Sequence, residues 1–302
     1  VFTTLQQWLL ALLLYPGLLF GLLFAISGEW LVSTVRPFTR RQRTRLPVPR
    51  YSLFQPLYDL LKLAGRDGGT TPASGATNAL GLLAMLGPLL ALVLMPLPGN
   101  PLTGDPQALT TDIVTVLALI CVQPIASAAA RMRQGGLHAL KGAQELGRLL
   151  TGLLPALLVV AALVEVLGNR SLRLVELGAA PETAAQTIVR LLAGGVLLVS
   201  FPWWRSLAAG LHAESAGFYT GGLLQQVAIS VLWALLVLPV PGAPIWALLV
   251  LLGGAILAYV TMHLVPERLW LGRSERRAAG LLWSAAVPLA VVALAISLWW
   301  GA

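Results

Sequence analysis

The sequence predicts an all-α integral membrane bundle of about eight transmembrane helices plus a short amphipathic interfacial helix, in one polytopic domain spanning residues 1–302. Three observations predict it. Hydrophobic residues make up 57% of the chain and charged residues 11%, where soluble domains carry about 25% charged residues. Apolar runs recur at about the 20-residue length that crosses a hydrocarbon core. Lysine and arginine gather in alternate connections between those runs.

The eight runs lie near 6–28, 76–97, 111–131, 149–168, 187–203, 221–239, 244–265 and 279–300. They are continuous Leu/Val/Ala stretches without the alternation of a barrel strand, and a helix satisfies its backbone internally in lipid. The first run, Trp8 to Ile26, is longer than a signal h-region and has no small-residue cleavage site before the arginines that follow. It is expected to stay as a permanent helix. The fifth run is the weakest, because Arg190 lies near its start and Phe201-Pro202-Trp203-Trp204 ends it.

Of the 20 Lys and Arg, the first loop holds eight, the third four, the fifth one and the seventh four. Even loops hold only Arg170 and Arg173. Under the positive-inside rule, odd loops face the cytoplasm and both termini lie outside the inner membrane. The formal charge of +8 thus reads as topology and as contact with anionic lipids. Nucleic-acid binding is excluded, since the basic cluster lacks the interleaved aromatics of a binding surface. Trp203, Trp204, Trp270, Trp283, Trp299 and Trp300 fall near predicted span ends, where indoles favour the interface.

The single cysteine, Cys121, excludes a disulfide framework. His138, His212 and His263 are scattered without a second ligand at metal spacing, so no metal site is expected. No phosphate cradle and no nucleophile beside a base is evident, and no catalytic residue is assigned. Glu165 is expected to pair with Arg170 or Arg173. A stand-alone transporter should show broken helices near the midplane or an inverted repeat, and the sequence shows neither.

The first loop, 36–66, carries the most informative segment. Leu53, Phe54, Leu57, Leu60, Leu61 and Ala64 share one helical face, and Gln55, Asp59, Lys62 and Arg66 the other. Pro56 suits the first turn. This spacing predicts an amphipathic helix lying in the interface.

Gln55-Pro56-x-x-Asp59-x-x-Lys62-Leu63 resembles the signature after the first helix of NADH dehydrogenase subunit 1, a membrane subunit of respiratory complex I. The same family includes the membrane anchors of energy-converting nickel–iron hydrogenases and formate hydrogenlyases, and Lys62-Leu-Ala-Gly-Arg-Asp with Pro72-Ala-Ser-Gly75 is closer to that branch. Further likenesses follow in order: Glu29 before the basic stretch, Gly87-Pro88 in helix two, Asp112-Ile113 opening helix three, His138-Ala-Leu-Lys-Gly-Ala143 before helix four, and His212-Ala-Glu-Ser-Ala-Gly-Phe218 entering helix six.

The resemblance implies a non-redox membrane subunit of a quinone-reducing or hydrogenase-type complex, coupled to proton or sodium movement. It implies quinone-cavity or coupling roles for Glu29, Gln55, Asp59, Lys62, Glu145 and Glu214, and docking of the peripheral arm at Arg41, Arg43 and Arg45. For the carboxylates, structural pairing with nearby arginines is the competing reading. No cofactor is expected on this chain alone. A quinone at the interface, iron–sulfur clusters in hydrophilic iron–sulfur, nickel–iron-like or quinone-reductase subunits, and antiporter-like membrane subunits are the implied company. The departures are Arg43-Thr-Arg-Leu-Pro47 for the family's Arg-x-Gly-Pro, Leu154 for a mid-helix-four glutamate, and Phe201-Pro-Trp-Trp-Arg-Ser206 where the family has Pro-Phe-Asp and glutamates. They also support a purely structural anchor that has lost its coupling residues.

Overall fold

The computed structural model describes residues 2–40, 54–67, 75–103, 111–167, 172–179, 181–204, 215–238, 244–270, 280 and 282–300. Among them there is no strand, and eight helical stretches are long and apolar enough to cross a membrane. The chain is therefore a multi-pass membrane protein.

The first span, Thr4–Val35, is two helices, α1 (Phe2–Leu13) and α2 (Leu18–Arg40), where the sequence predicts one. Pro16 has no amide hydrogen to continue the ladder. Gly17 closes so tightly on the carbonyls of Ala11 and Leu12 that a Cβ would collide with them. The Leu10 carbonyl accepts from the amides of both Leu14 and Tyr15. The Tyr15 hydroxyl donates to the Pro98 carbonyl at 2.9 Å, tying the break to the end of the next span.

The amphipathic helix α3 (Gln55–Asp67) precedes α4 (Gly75–Leu94). Span three is α5 (Ile113–Gln134), capped by Asp112, whose carboxylate accepts from the Thr115 amide at 2.6 Å. Span four is α6 (Gly136–Val166), and it begins 13 residues earlier than its apolar run suggests. At 1.5 Å per residue this 31-residue helix is roughly 46 Å long, well beyond the ~30 Å hydrocarbon core. Its first turns therefore stand proud of the membrane. They carry Lys141 and Arg148, which the apolar pattern places in a loop. Two glycines at positive φ, Gly135 (73°) and Gly136 (54°), make the whole turn between α5 and α6, a conformation that side chains with a Cβ resist.

At the opposite end, the short α7 (Leu174–Leu177) bridges back to α5 through Ile113 N–H to Leu172 O and Leu174 N–H to Thr111 O. Arg173 lies 3.8 Å from Glu176, three residues on; Arg170, the other cation expected near Glu165, lies outside the described residues. Span five is α8 (Ala184–Ser200), opened by a Thr183–Gln186 capping box and closed by a 3₁₀ turn, Phe201–Trp203. Arg190 is tolerated within it because its guanidinium donates to the Leu177 and Ala179 carbonyls at the end of α7, the usual fate of a cation inside a span.

Span six, α9 (Ala216–Val237), is enclosed on nearly every side and organises the bundle. Its glycines permit close approach to α4. A Cβ at Gly217 would lie 2.9 Å from the Gly81 backbone, and one at Gly221 would strike the Ala84 carbonyl. Small residues of this kind drive packing between membrane helices. Span seven is α10 (Pro244–Trp270), and span eight is a π turn, Leu282–Ala286, running into α11 (Val287–Trp300).

Candidate functional site

The described site residues collect at the end of the bundle where α2 reaches Arg40 and α5 reaches Arg133, here called the basic end. Glu29 lies on α2, and α10 packs alongside it. Gly28 leaves room for this contact, since a Cβ there would lie 2.8 Å from the Tyr259 ring. The Tyr259 hydroxyl donates to Glu29 Oε1 at 2.9 Å. His263 Nε2 lies 3.4 Å from the same oxygen, and its Nδ1 lies 2.7 Å from the Tyr259 carbonyl. The phenol and imidazole rings stack at 4.5 Å between centroids, and Phe24 meets Tyr259 edge-on. Three polar side chains are thereby held in an apolar wall, where ionisable groups are expensive and often functional.

Helix α3 packs on α2 and α9 beside this corner. Gln55 Nε2 donates to Asp59 Oδ1 at 3.0 Å, one turn along. Tyr219, on the first turn of α9, lies within electrostatic reach of both Asp59 and Glu29. Lys62 is on the exposed side. The expected apolar row of α3 stays together: Phe54, Leu57, Leu61 and Ala64 are exposed and Leu60 half-buried, whereas Gln55 and Asp59 of the polar face are half-buried against the bundle and Pro56 and Leu63 are buried.

Glu145 stands on a different helix pair. Its carboxylate on α6 faces Arg131 Nε on α5 at 3.5 Å, both side chains more than nine-tenths buried. Glu214, Arg41, Arg43 and Arg45 lie outside the described residues.

The end of α8 departs from expectation. Trp203 and Trp204 stand at the end of their span, as expected, but face into the bundle and are buried there. The Trp204 carbonyl accepts from Gln225 Nε2 at 3.1 Å, and that amide also reaches the Ile120 carbonyl. Gln225 is the tenth residue of α9, so it lies roughly 14 Å along that helix from its first residue. Gly152 of α6 lets both indole side chains close in, since a Cβ there would lie 2.8–2.9 Å from them. Phe201 packs edge-on against Trp204, and the Arg148 guanidinium lies 5.4 Å from the Trp203 ring centroid, within cation–π range. Leu154, where the resemblance would put a glutamate, is 41% exposed and looks away from the bundle.

No family model and no curated protein matches this sequence. A chain of an archaeal respiratory membrane complex shares its fold. That structure is of the membrane-bound sulfane sulfur reductase (MBS), and the two chains agree with a TM-score of 0.70 at 16% identity, over 97% of this chain and 99% of that one. At this identity the likeness is one of fold. It takes in all eight spans, so the Glu29 corner and the Trp203–Trp204 wall both belong to the shared frame.

Glu29, Gln55 and Asp59 are candidates named from the sequence, whereas His263 reads there as an isolated histidine, and Tyr259 and Tyr219 pass unnoticed. The available signal was Tyr259 and His263 at i and i+4 within an apolar helix, a spacing that places two polar groups on one face.

Proposed function

We propose that this chain is the membrane-anchor subunit of a complex I-like oxidoreductase, of the NADH dehydrogenase subunit 1 type, in the cytoplasmic membrane with both termini outside. Its basic end receives a peripheral electron-transfer arm carrying iron–sulfur clusters, with Arg41, Arg43 and Arg45 as docking cations. Antiporter-like subunits and lipid surround its flanks. The observation that carries this reading is the fold match, end to end on both chains, to a respiratory membrane complex. The ordered motif likenesses and the charge asymmetry support it independently.

Within this reading, Glu29, Gln55, Asp59 and Lys62 border the place where the acceptor site of the arm meets the membrane. The fold neighbour is described as a sulfane sulfur reductase, which adds sulfur compounds to quinone and hydrogen chemistry as candidate acceptors. Coupling to proton or sodium movement follows from the carboxylates at the basic end. A second reading, an anchor without ion coupling, is favoured by one specific feature: buried indoles occupy the wall where the resemblance calls for acids.

Purification through an affinity tag in mild detergent tests the proposal. Iron–sulfur subunits, with nickel–iron or other reductase subunits, are expected to co-purify. A chain that purifies alone and moves a solute in liposomes would replace the anchor with a transporter. Ion movement driven by the intact complex, present or absent, separates the two anchor readings.

A further inference from the structure

We infer that the projecting first turns of α6 are a docking rail for an acidic, partly apolar face of a soluble protein at the basic end. Height sets the argument. Lys141, Glu145 and Arg148 recur every three or four residues, and the charge-free run begins at Leu149, so the hydrocarbon edge falls near that residue. Leu140 and Leu137 precede Leu149 by nine and twelve residues on unbroken helix, roughly 14 and 18 Å further out. The headgroup layer is only about 5–7 Å deep on each side. Lipid therefore does not reach them, and a tilt of about 20° does not bring them back. Leu137 is 76% exposed and Leu140 57%, so two leucines stand in water.

The row is continuous. Leu137, Leu140, Ala143, Gln144 and Gly147 are exposed at helical spacing, while Gly142, Glu145 and Leu149 are buried. No atom of the chain lies within 4 Å of where a Cβ would stand on Gly147. A glycine within an exposed helix weakens it relative to alanine, and no contact among the described residues calls for this one. Close approach by a second backbone does, as at Gly217 and Gly221 inside the bundle. Charge then names the occupant. Arg133 and Lys141 are exposed beside the row, and Glu145, the carboxylate on these turns, is buried facing Arg131. The chain's own connections at this end, 41–53, 68–74, 205–214 and 271–279, hold eight arginines against Glu214 and Glu275. Like charge disfavours them as a cover, and a second copy would bring the same cations. The occupant is a different and acidic protein. Gly135 and Gly136 alone join α5 to α6, so the rail is preformed and its occupation orders little chain. Its assignment to the peripheral arm rests on the anchor reading; its contact with an acidic soluble surface does not.

Photocrosslinking of the full-length chain in its native cells, before any detergent is added, tests the rail. A photoreactive benzoylphenylalanine replaces Leu137 or Leu140, and Leu150, 66% exposed within the apolar run, serves as the lipid-facing control. Adducts are mapped by mass spectrometry. Positions 137 and 140 are expected to join one and the same soluble protein, within a segment rich in Asp and Glu, and position 150 is not. Lys141→Glu together with Arg133→Glu should lower that yield roughly tenfold or more, at unchanged abundance of the chain in the membrane. Adducts at 137 and 140 with lipid, with this chain or with a second copy would overturn the proposal, as would no adduct, or a yield unmoved by charge reversal. If the doubly substituted chain does not accumulate, the adducts of the two leucine positions decide the matter. Co-purification of iron–sulfur subunits is scored separately, so an acidic soluble partner without them keeps the rail and removes the arm.

Discussion

Two walls of this bundle are built from opposite materials. Where α2 meets α10, a carboxylate, a phenol and an imidazole converge, and a glycine makes space for them. Where α6 meets the end of α8, a glycine again makes space, but two indoles and a phenyl ring fill it. The device is the same on both sides, a missing Cβ that lets a large ring approach a helix. What differs is whether the ring brings polar partners. One wall brings hydrogen-bonding groups together, and the other only packs.

Predictions that break or sharpen this contrast can be ranked by size. Trp204→Ala should be the most damaging, because it empties a fully buried site between α6 and α8. The expected loss is about 3–5 kcal/mol, read as a lowered unfolding temperature in detergent. A drop no larger than that of a surface substitution would show that the indole wall is not structural. Arg131→Met should cost about 3–5 kcal/mol by removing the cation 3.5 Å from the buried Glu145 carboxylate. Adding Glu145→Leu should restore most of that loss, since buried ion pairs exchange for apolar residues at little net change. Equal losses in the single and double variants, measured by thermal scanning fluorescence, would contradict this.

Gly28→Ala comes next, at about 1–3 kcal/mol, because its new methyl pushes against the Tyr259 ring. It should also weaken the Tyr259–Glu29 bond, visible as a change in the tyrosine hydroxyl environment by infrared spectroscopy. Tyr259→Phe should be the mildest, at about 1 kcal/mol for one lost hydrogen bond. A stability change as large as that of Trp204→Ala would mean that the corner is structural first.

The span count was legible because hydropathy and the placement of Lys and Arg are local properties that agree with each other. Boundaries were less so. The early turns of α6 carry Lys141, Glu145 and Arg148 and read as a loop, because a helix outside lipid need not be apolar. The break at Pro16 was hidden within an uninterrupted apolar run. The corner was half legible. Glu29 and Asp59 stand out as acids in a chain poor in them, but His263 gains meaning only when α10 returns to α2 across more than two hundred residues of sequence. The position of Trp203 and Trp204 at a span end was legible, but their burial was not, for the converse reason. Tryptophan near a span end suggests an interface, whereas the Gln225 bond to the Trp204 carbonyl draws that end inward along α9.

The two-glycine bend between α5 and α6 has a mechanical meaning. A long connector would soak up any push from a protein seated on the basic end, as a slack rope does. Here the two rods are joined without slack and packed along their length, so a tilt imposed on one leg is handed to the other.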